Sequence, residues 1–379
     1  MKNMIKMSLV AAVAVAGLSS NVAAKPLEEA IKDVDVSGSV LYRYNDYNND
    51  VTNSSATQNF YKVATTLKSK VNDTVTSAVR VIASNSATGG LTGLSTDSAG
   101  DSNVEVRLSH ANFTVKTDYA TVIAGKQALA TPWTVALDSD GDEDTGTGLL
   151  ALVPAGPVTV AAAYFNQTNL DTGNAGAKNL STVGVMGKAG PVAIDAWYAD
   201  QADTLDTFTI GAKGSIEGIT INGRYTSLTT DAVNASGNDK NSLTQVKVSS
   251  KIGPVGVWGQ LAMTDKDGGT TALENSAKTA IEGWNIALNG KRDADYIGFG
   301  AGMDVISGLN VALNYRAMDY KATLGSDVET EEYELYTQIT HKMGKNLVTY
   351  VRFGNYEKET SGTKANDDLR GRLQVEYKF

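Results

Sequence analysis

The 379-residue chain has no cysteine, only 6 prolines and 2 histidines. Past its first residues it also has no apolar run of the roughly 20 residues a membrane-spanning helix needs. Each shortage excludes something. Without cysteine there is no disulfide frame, so a secreted chain must be held by other means, and closed sheet hydrogen bonding is one. The two histidines, His110 and His341, sit in no Gly-x-Ser-x-Gly motif and leave a hydrolytic enzyme little to work with. No Cys/His zinc spacing and no phosphate-cradling glycine loop is present. Basic residues are outnumbered, 33 to 42, and a net charge of -9 is a poor footprint for nucleic acid.

What is present begins with Met1–Ala24, which reads as a cleaved signal peptide. Lys2 and Lys6 give the positive start, Met7–Gly17 a short apolar stretch, and Val22-Ala23-Ala24 the small residues of a cleavage site. The mature chain, 25–379, is expected to form one unit of net charge -11 once the two leader lysines are gone from the total of -9.

The 37 glycines against 6 prolines suit many strands joined by turns. The last segment shows the pattern best. Leu369, Gly371, Leu373, Val375, Tyr377 and Phe379 alternate with Arg370, Arg372, Gln374, Glu376 and Lys378. Successive strand side chains point to opposite faces, so one face suits lipid and the other water. Period-two segments bounded by turn residues predict about eighteen strands, from 34–46 and 57–71 through to 346–357 and 368–379. Their connections alternate between tight turns (Gly156-Pro157, Gly190-Pro191, Gly253-Pro254, Met343-Gly344-Lys345) and long polar loops. The long ones run Tyr47–Ala56, Asn85–Ser102, Ala128–Thr145, Gln167–Lys178, Thr229–Asn241 and Thr264–Asp293. Short turns on one rim and long loops on the other point to an all-β, transmembrane antiparallel barrel. Within the last loop, Ile281–Leu288 is expected to form a short element over the barrel mouth. Tyrosines near strand ends, among them Tyr42, Tyr198, Tyr225, Tyr315, Tyr320 and Tyr377, are expected in the aromatic girdles.

The segment Lys25–Gly38, with Tyr42-Arg43-Tyr44 after it, resembles the mature N-terminus of the Campylobacter-type major outer membrane protein, a family of porins. Val122-Ile123-Ala124-Gly125-Lys126-Gln127 with Trp133 is similar to that family's strand leading into its constriction loop, and Val375–Phe379 to its ending. The resemblance implies an eighteen-stranded, homotrimeric general diffusion porin in the bacterial outer membrane, in contact with its lipid and passing ions and small hydrophilic solutes. The long loops leave a second expectation open, that of a surface adhesin or structural protein binding host components.

The pore is expected where the third long loop, Ala128–Thr145, folds inward with Asp138, Asp140, Asp142, Glu143 and Asp144. Such a cluster raises local cation concentration and gives a weak cation preference. A second reading makes Asp138, Asp140 and Asp142 a calcium site, because alternating aspartates offer hard oxygen ligands, although the EF-hand spacing is not met. No cofactor is required. Parity points Arg43, Arg80, Arg224, Arg316, Arg370 and Arg372 inward, since a cation facing lipid costs about 2–4 kcal/mol near the midplane. Arg43, Arg80 and Arg107 are expected at the constriction, with Lys126 at the end of the matched strand. The alternation slips near Ser109 and His110, which predicts a bulge there.

Overall fold

The computed structural model describes residues 34–84, 90–94, 104–170, 177–232, 239–321 and 328–379. The leader and the Lys25 start lie outside these residues. Among them there are nineteen strands and no α-helix. In order they are β1 (Val34–Asn49), β2 (Ser54–Lys70), β3 (Val75–Ser84), β4 (Thr92–Leu94), β5 (Glu105–Lys116), β6 (Thr121–Ala128), β7 (Thr145–Ala155), β8 (Val158–Thr168), β9 (Leu180–Ala189) and β10 (Val192–Gln201). They continue as β11 (Leu205–Ile216), β12 (Ile219–Thr230), β13 (Lys240–Ile252), β14 (Val255–Thr264), β15 (Arg292–Ile306), β16 (Leu309–Lys321), β17 (Glu329–Lys342), β18 (Leu347–Thr360) and β19 (Thr363–Lys378). Eighteen of them pair antiparallel with their sequence neighbours around a ring. The short β4, absent from the sequence reading, adds to β2 through Asn59↔Leu94.

The ring closes where β1 meets β19, from Ser39↔Lys378 to Asn49↔Asp368. Gly38 and Phe379 finish this seam by exchanging two backbone hydrogen bonds, at 2.8 and 3.0 Å. The Phe379 ring covers Gly38 so closely that a Cβ there would lie 2.6 Å from Cζ and 2.3 Å from the Ala64 carbonyl oxygen. The carbonyl is backbone and cannot swing aside. Gly38→Ala is therefore expected to destabilise the seam by about 1–3 kcal/mol, as overpacking does. It should lower the temperature at which the folded band is lost in a heat-modifiability gel, and an unchanged temperature would refute the argument.

The alternation becomes two environments. Outward residues such as Phe208, Ile210, Ile297, Phe299 and Phe353 are 46–51% exposed. Inward ones such as Ala64, Lys62, Arg80 and Thr226 are buried. An apolar belt running around the whole molecule is far larger than a soluble monomer tolerates, and it fits lipid. On it, Phe299 packs against Tyr315 at 4.9 Å, and Tyr315 against Tyr333 at 6.5 Å. Tyr320 departs from the girdle expectation. It points inward, and its hydroxyl donates to Glu332 at 2.6 Å.

The rims segregate as expected, with two corrections. The repeated Gly-Pro forms two-residue hairpins in which glycine takes φ of +63°, +59° and +59° before each proline. That is the backbone a hairpin turn opening with glycine demands. The first long loop, however, shrinks to residues 50–53, because β1 and β2 extend past the predicted ends. Alternation fades once a strand rises above the membrane and both faces are wet, so the sequence read these ends as loop. The connections 202–204 and 361–362 on the same rim are also short, so not every alternate connection is long.

Candidate functional site

The loop between β6 and β7, residues 129–144, turns into the barrel. Leu129 and Trp133 pack with inward-facing Ala163, Phe165, Leu180 and Ala199 of β8–β10. The return is clamped by Asn169, which accepts from the Thr145 amide at 2.5 Å and donates to the Glu143 carbonyl at 2.8 Å. Burial of apolar side chains therefore fixes the base of the loop, and charge fixes its tip.

At that tip Arg80 donates twice to Glu143, at 2.9 and 2.7 Å. Lys62 approaches the same carboxylate at 3.0 Å and also donates to the Asp138 and Gly141 carbonyls. Glu143 and Lys62 are fully buried. Arg43 meets Asp140 at 2.5 Å and donates to Gln374 at 2.7 Å. Five of the predicted residues are thus placed in or against the docked tip: Arg43, Arg80, Asp138, Asp140 and Glu143. Lys62, which sequence reasoning missed, joins them. It alternates between outward Tyr61 and Val63 on β2, so period two carries the signal for its inward placement.

Three predicted residues sit nearby without being part of these pairs, and one is Asp142, whose charge acts on Arg107, Asp144 and Glu274. Arg107 is drawn to the wall beside β3 by the bulge. Arg80 pairs with His110 and Val81 with Leu108, leaving Ser109 as the extra residue, where the phase slip predicted it. Asp144 lies at the loop's base, where its carboxylate accepts from the Val135 amide at 2.7 Å. Lys126 must be corrected. Its register partners are Ala111 and Thr147, so it shares the face of outward Phe113 and not the lumen.

The loop carboxylates do not share one charge state. Burial pushes Asp138 up to about 6, aided by its hydrogen bond with Asp140. Burial works against Asp140 as well, yet Arg43 holds it below the usual range. The same contest at Glu143 is won by Arg80 and Lys62, which keep it low. Burial, with the charges of Glu274 and Asp142, pushes Asp144 up to about 7. These separate commitments bear on calcium. Asp140 is engaged by Arg43, and an Asp138 oxygen accepts the Asp140 amide at 3.0 Å. Among the described residues no three acidic or histidine side chains gather to hold a metal ion. The alternating aspartates do not converge, and the residues do not fit a calcium site.

A second loop, 265–291, also enters the barrel. Its Ile281–Leu288 segment, expected over the mouth, forms a small hairpin inside, with a Glu282↔Ala287 bridge. Ile281, Ile286 and Leu288 bury against Leu243, Ala262, Tyr296, Met318 and Tyr356 of the wall. The two loops touch. The Trp133 carbonyl accepts the Leu273 and Glu274 amides at 2.9 and 3.2 Å, and the Pro132 carbonyl accepts the Thr279 amide at 3.2 Å.

The wall from β16 to β19 is basic and aromatic. Arg352 donates to Gln338 at 2.6 Å and lies 4.8 Å from the Tyr336 ring centre. Arg372 donates to Asn45 at 2.8 Å, and Arg316 pairs with Glu334 at 2.8 Å. Arg370 stacks on Tyr47 and Tyr356, while Arg224 on the far wall pairs with Asp195. All six inward arginines of the sequence reading therefore carry charge into the lumen. Beneath the joined loops a cavity of about 820 Å³ opens beside Trp197, Arg224 and Lys213.

A closed eighteen-stranded barrel with a lipid-facing belt, a polar lumen and loops folded inside it has the fold of an outer-membrane porin. The solved structures it resembles agree. Acinetobacter baumannii OccAB3 aligns with a TM-score of 0.74 at 13% identity, over 92% of this chain and 99% of that one. Pseudomonas aeruginosa OccK2 (OpdF), solved in complex with glucuronate, gives 0.72 at 13%, over 91% and 98%. Pseudomonas aeruginosa OpdO gives 0.71 at 17%, over 92% and 97%. Among curated proteins no sequence relative is found. The chain belongs to the Campylobacter major outer membrane protein family, whose pattern matches residues 1–194. It is an outer-membrane protein.

Proposed function

We propose that the protein is a general diffusion channel, passing ions and small hydrophilic solutes across the outer membrane with a weak preference for cations. The observation that carries this is the docked tip of loop 129–144. A buried Arg80–Glu143–Lys62 cluster and the Arg43–Asp140 pair hold it inside the barrel instead of above it. A loop held at this depth narrows a water-filled hole, and selectivity then follows the charges beside it. Two of its five acids are matched by wall cations and two have raised pKa values, so the surplus of negative charge is small. Weak selectivity follows. Homotrimeric assembly belongs to the same proposal and is read out by sedimentation in detergent. The adhesin reading rests on outer loops that lie partly outside the described residues.

In a planar bilayer the purified protein should give stepwise, ohmic conductance; a silent bilayer would sink the proposal. In a KCl gradient, Asp138, Asp140 and Asp142 changed together to Asn should move the reversal potential toward anions, because Arg43 loses its partner. Liposome swelling with neutral sugars and with glucuronate, the solute bound in OccK2, tests how general the channel is.

A further inference from the structure

We propose that Glu334 is a positioning residue that sets the pore width, by holding loop 265–291 inside the barrel so that it and the acidic loop act as one brace. The inference rests on the channel reading above and deepens it.

Glu334, on β17, is fully buried. Its oxygens accept three consecutive loop amides, Trp284 at 2.9 Å, Asn285 at 2.6 Å and Ile286 at 3.3 Å, together with Arg316 at 2.8 Å. Successive N–H groups converging on one carboxylate form an anion nest, and such charge-assisted bonds are among the strong ones. The preceding residue is shaped to the same contact. A Cβ on Gly283 would lie 2.2 Å from Glu334 Oε1 and 3.0 Å from Arg316 Cδ, so the carboxylate occupies the space any other residue would need.

Held there, Trp284 packs edge-on against Tyr336 at 5.4 Å, with the Arg352 and Arg372 guanidiniums 5.3 and 5.6 Å from its ring. The opposite arm of the loop reaches Trp133 and Pro132 through the three backbone bonds described above. One end of the brace is thus tied to β1–β3 through Arg43, Lys62 and Arg80, and the other to β17 through Glu334.

The test compares wild type, Glu334→Ala, Gly283→Ala and the double variant as single channels in planar bilayers. Each single change should raise unitary conductance about 1.5-fold or more, since both displace the hairpin that narrows the passage. Gly283→Ala leaves every charge in place, so its effect cannot come from altered selectivity. The double variant should exceed neither single by much, because residues sharing one contact are not additive. Hydrogen exchange at amides 284–286 should speed up alongside. Where Glu334→Ala fails to insert, Glu334→Gln keeps the volume and should give a smaller rise. Wild-type conductance in variants whose gel migration shows a folded barrel would overturn the proposal, as would fully additive effects. A silent wild-type channel would instead overturn the channel reading itself.

Discussion

Glu143→Ala is expected to free the tip of loop 129–144 and to raise both unitary conductance and open-channel noise more than any other single change in that loop. Glu143 pairs with two cations at once, Lys62 and Arg80, whose side chains are 0% and 9% exposed. Removing one partner of a buried pair typically costs about 3–5 kcal/mol, because the remaining charge is stranded out of water. Here two charges would be stranded. The Arg43–Asp140 pair is a weaker tether, since the Asp140 side chain is 40% exposed and such pairs contribute about 0–1 kcal/mol. It cannot hold the tip alone. Arg80→Ala should do less, as Lys62 still meets Glu143. The barrel ladder is untouched by either change, so heat-modifiable migration should stay near wild type. Equal conductance for Glu143→Ala and wild type would show that charge does not dock the loop.

Cation preference is expected to rise as pH increases from about 5 to 8, the range that brackets the raised values of Asp138, about 6, and Asp144, about 7. As each deprotonates, the loop gains negative charge. The same titrations bear on docking. An acid whose pKa is raised in the docked state favours docking while protonated, and that contribution is lost as pH climbs through the docked value. Asp140 and Glu143 are shifted down, so their contribution is present above the ordinary carboxylate range and is lost as pH falls below it. Docking should therefore be tightest between those limits, in mildly acidic solution, with open-channel noise increasing on either side. Reversal potentials across a pH series would check this. Asp138→Asn should flatten the part of the curve near 6, and a wild-type curve without slope between 5 and 8 would contradict the assignment.

Much of this was legible in the sequence because a barrel strand writes its environment residue by residue. The eighteen ring strands, the bulge at Ser109 and the inward arginines follow from period two alone. The acidic loop was legible for a different reason, its five carboxylates and the matched strand before it. What stayed hidden is nonlocal. Ile281, Ile286 and Leu288 show no strand period, and the residues that bury them, from Leu243 to Tyr356, are spread over five strands and the hairpin's own neighbours. Lys126 is ambiguous because the residues before it, Val122–Gly125, are apolar or small on both faces, so parity within that strand does not say which face is inward. Pairing with Ala111 decides it. Tyr320 looked like a girdle residue because a tyrosine at a strand end suits either a headgroup or a buried carboxylate.

The backbone bonds between Trp133 and residues 273–274 have a consequence for how such channels diversify. The family match stops at residue 194, so it includes one of the touching loops and omits the other. Transplanting 129–144 into a cousin would carry over half of a matched set. Permeation traits should therefore travel between homologues only when both segments are exchanged as a cassette.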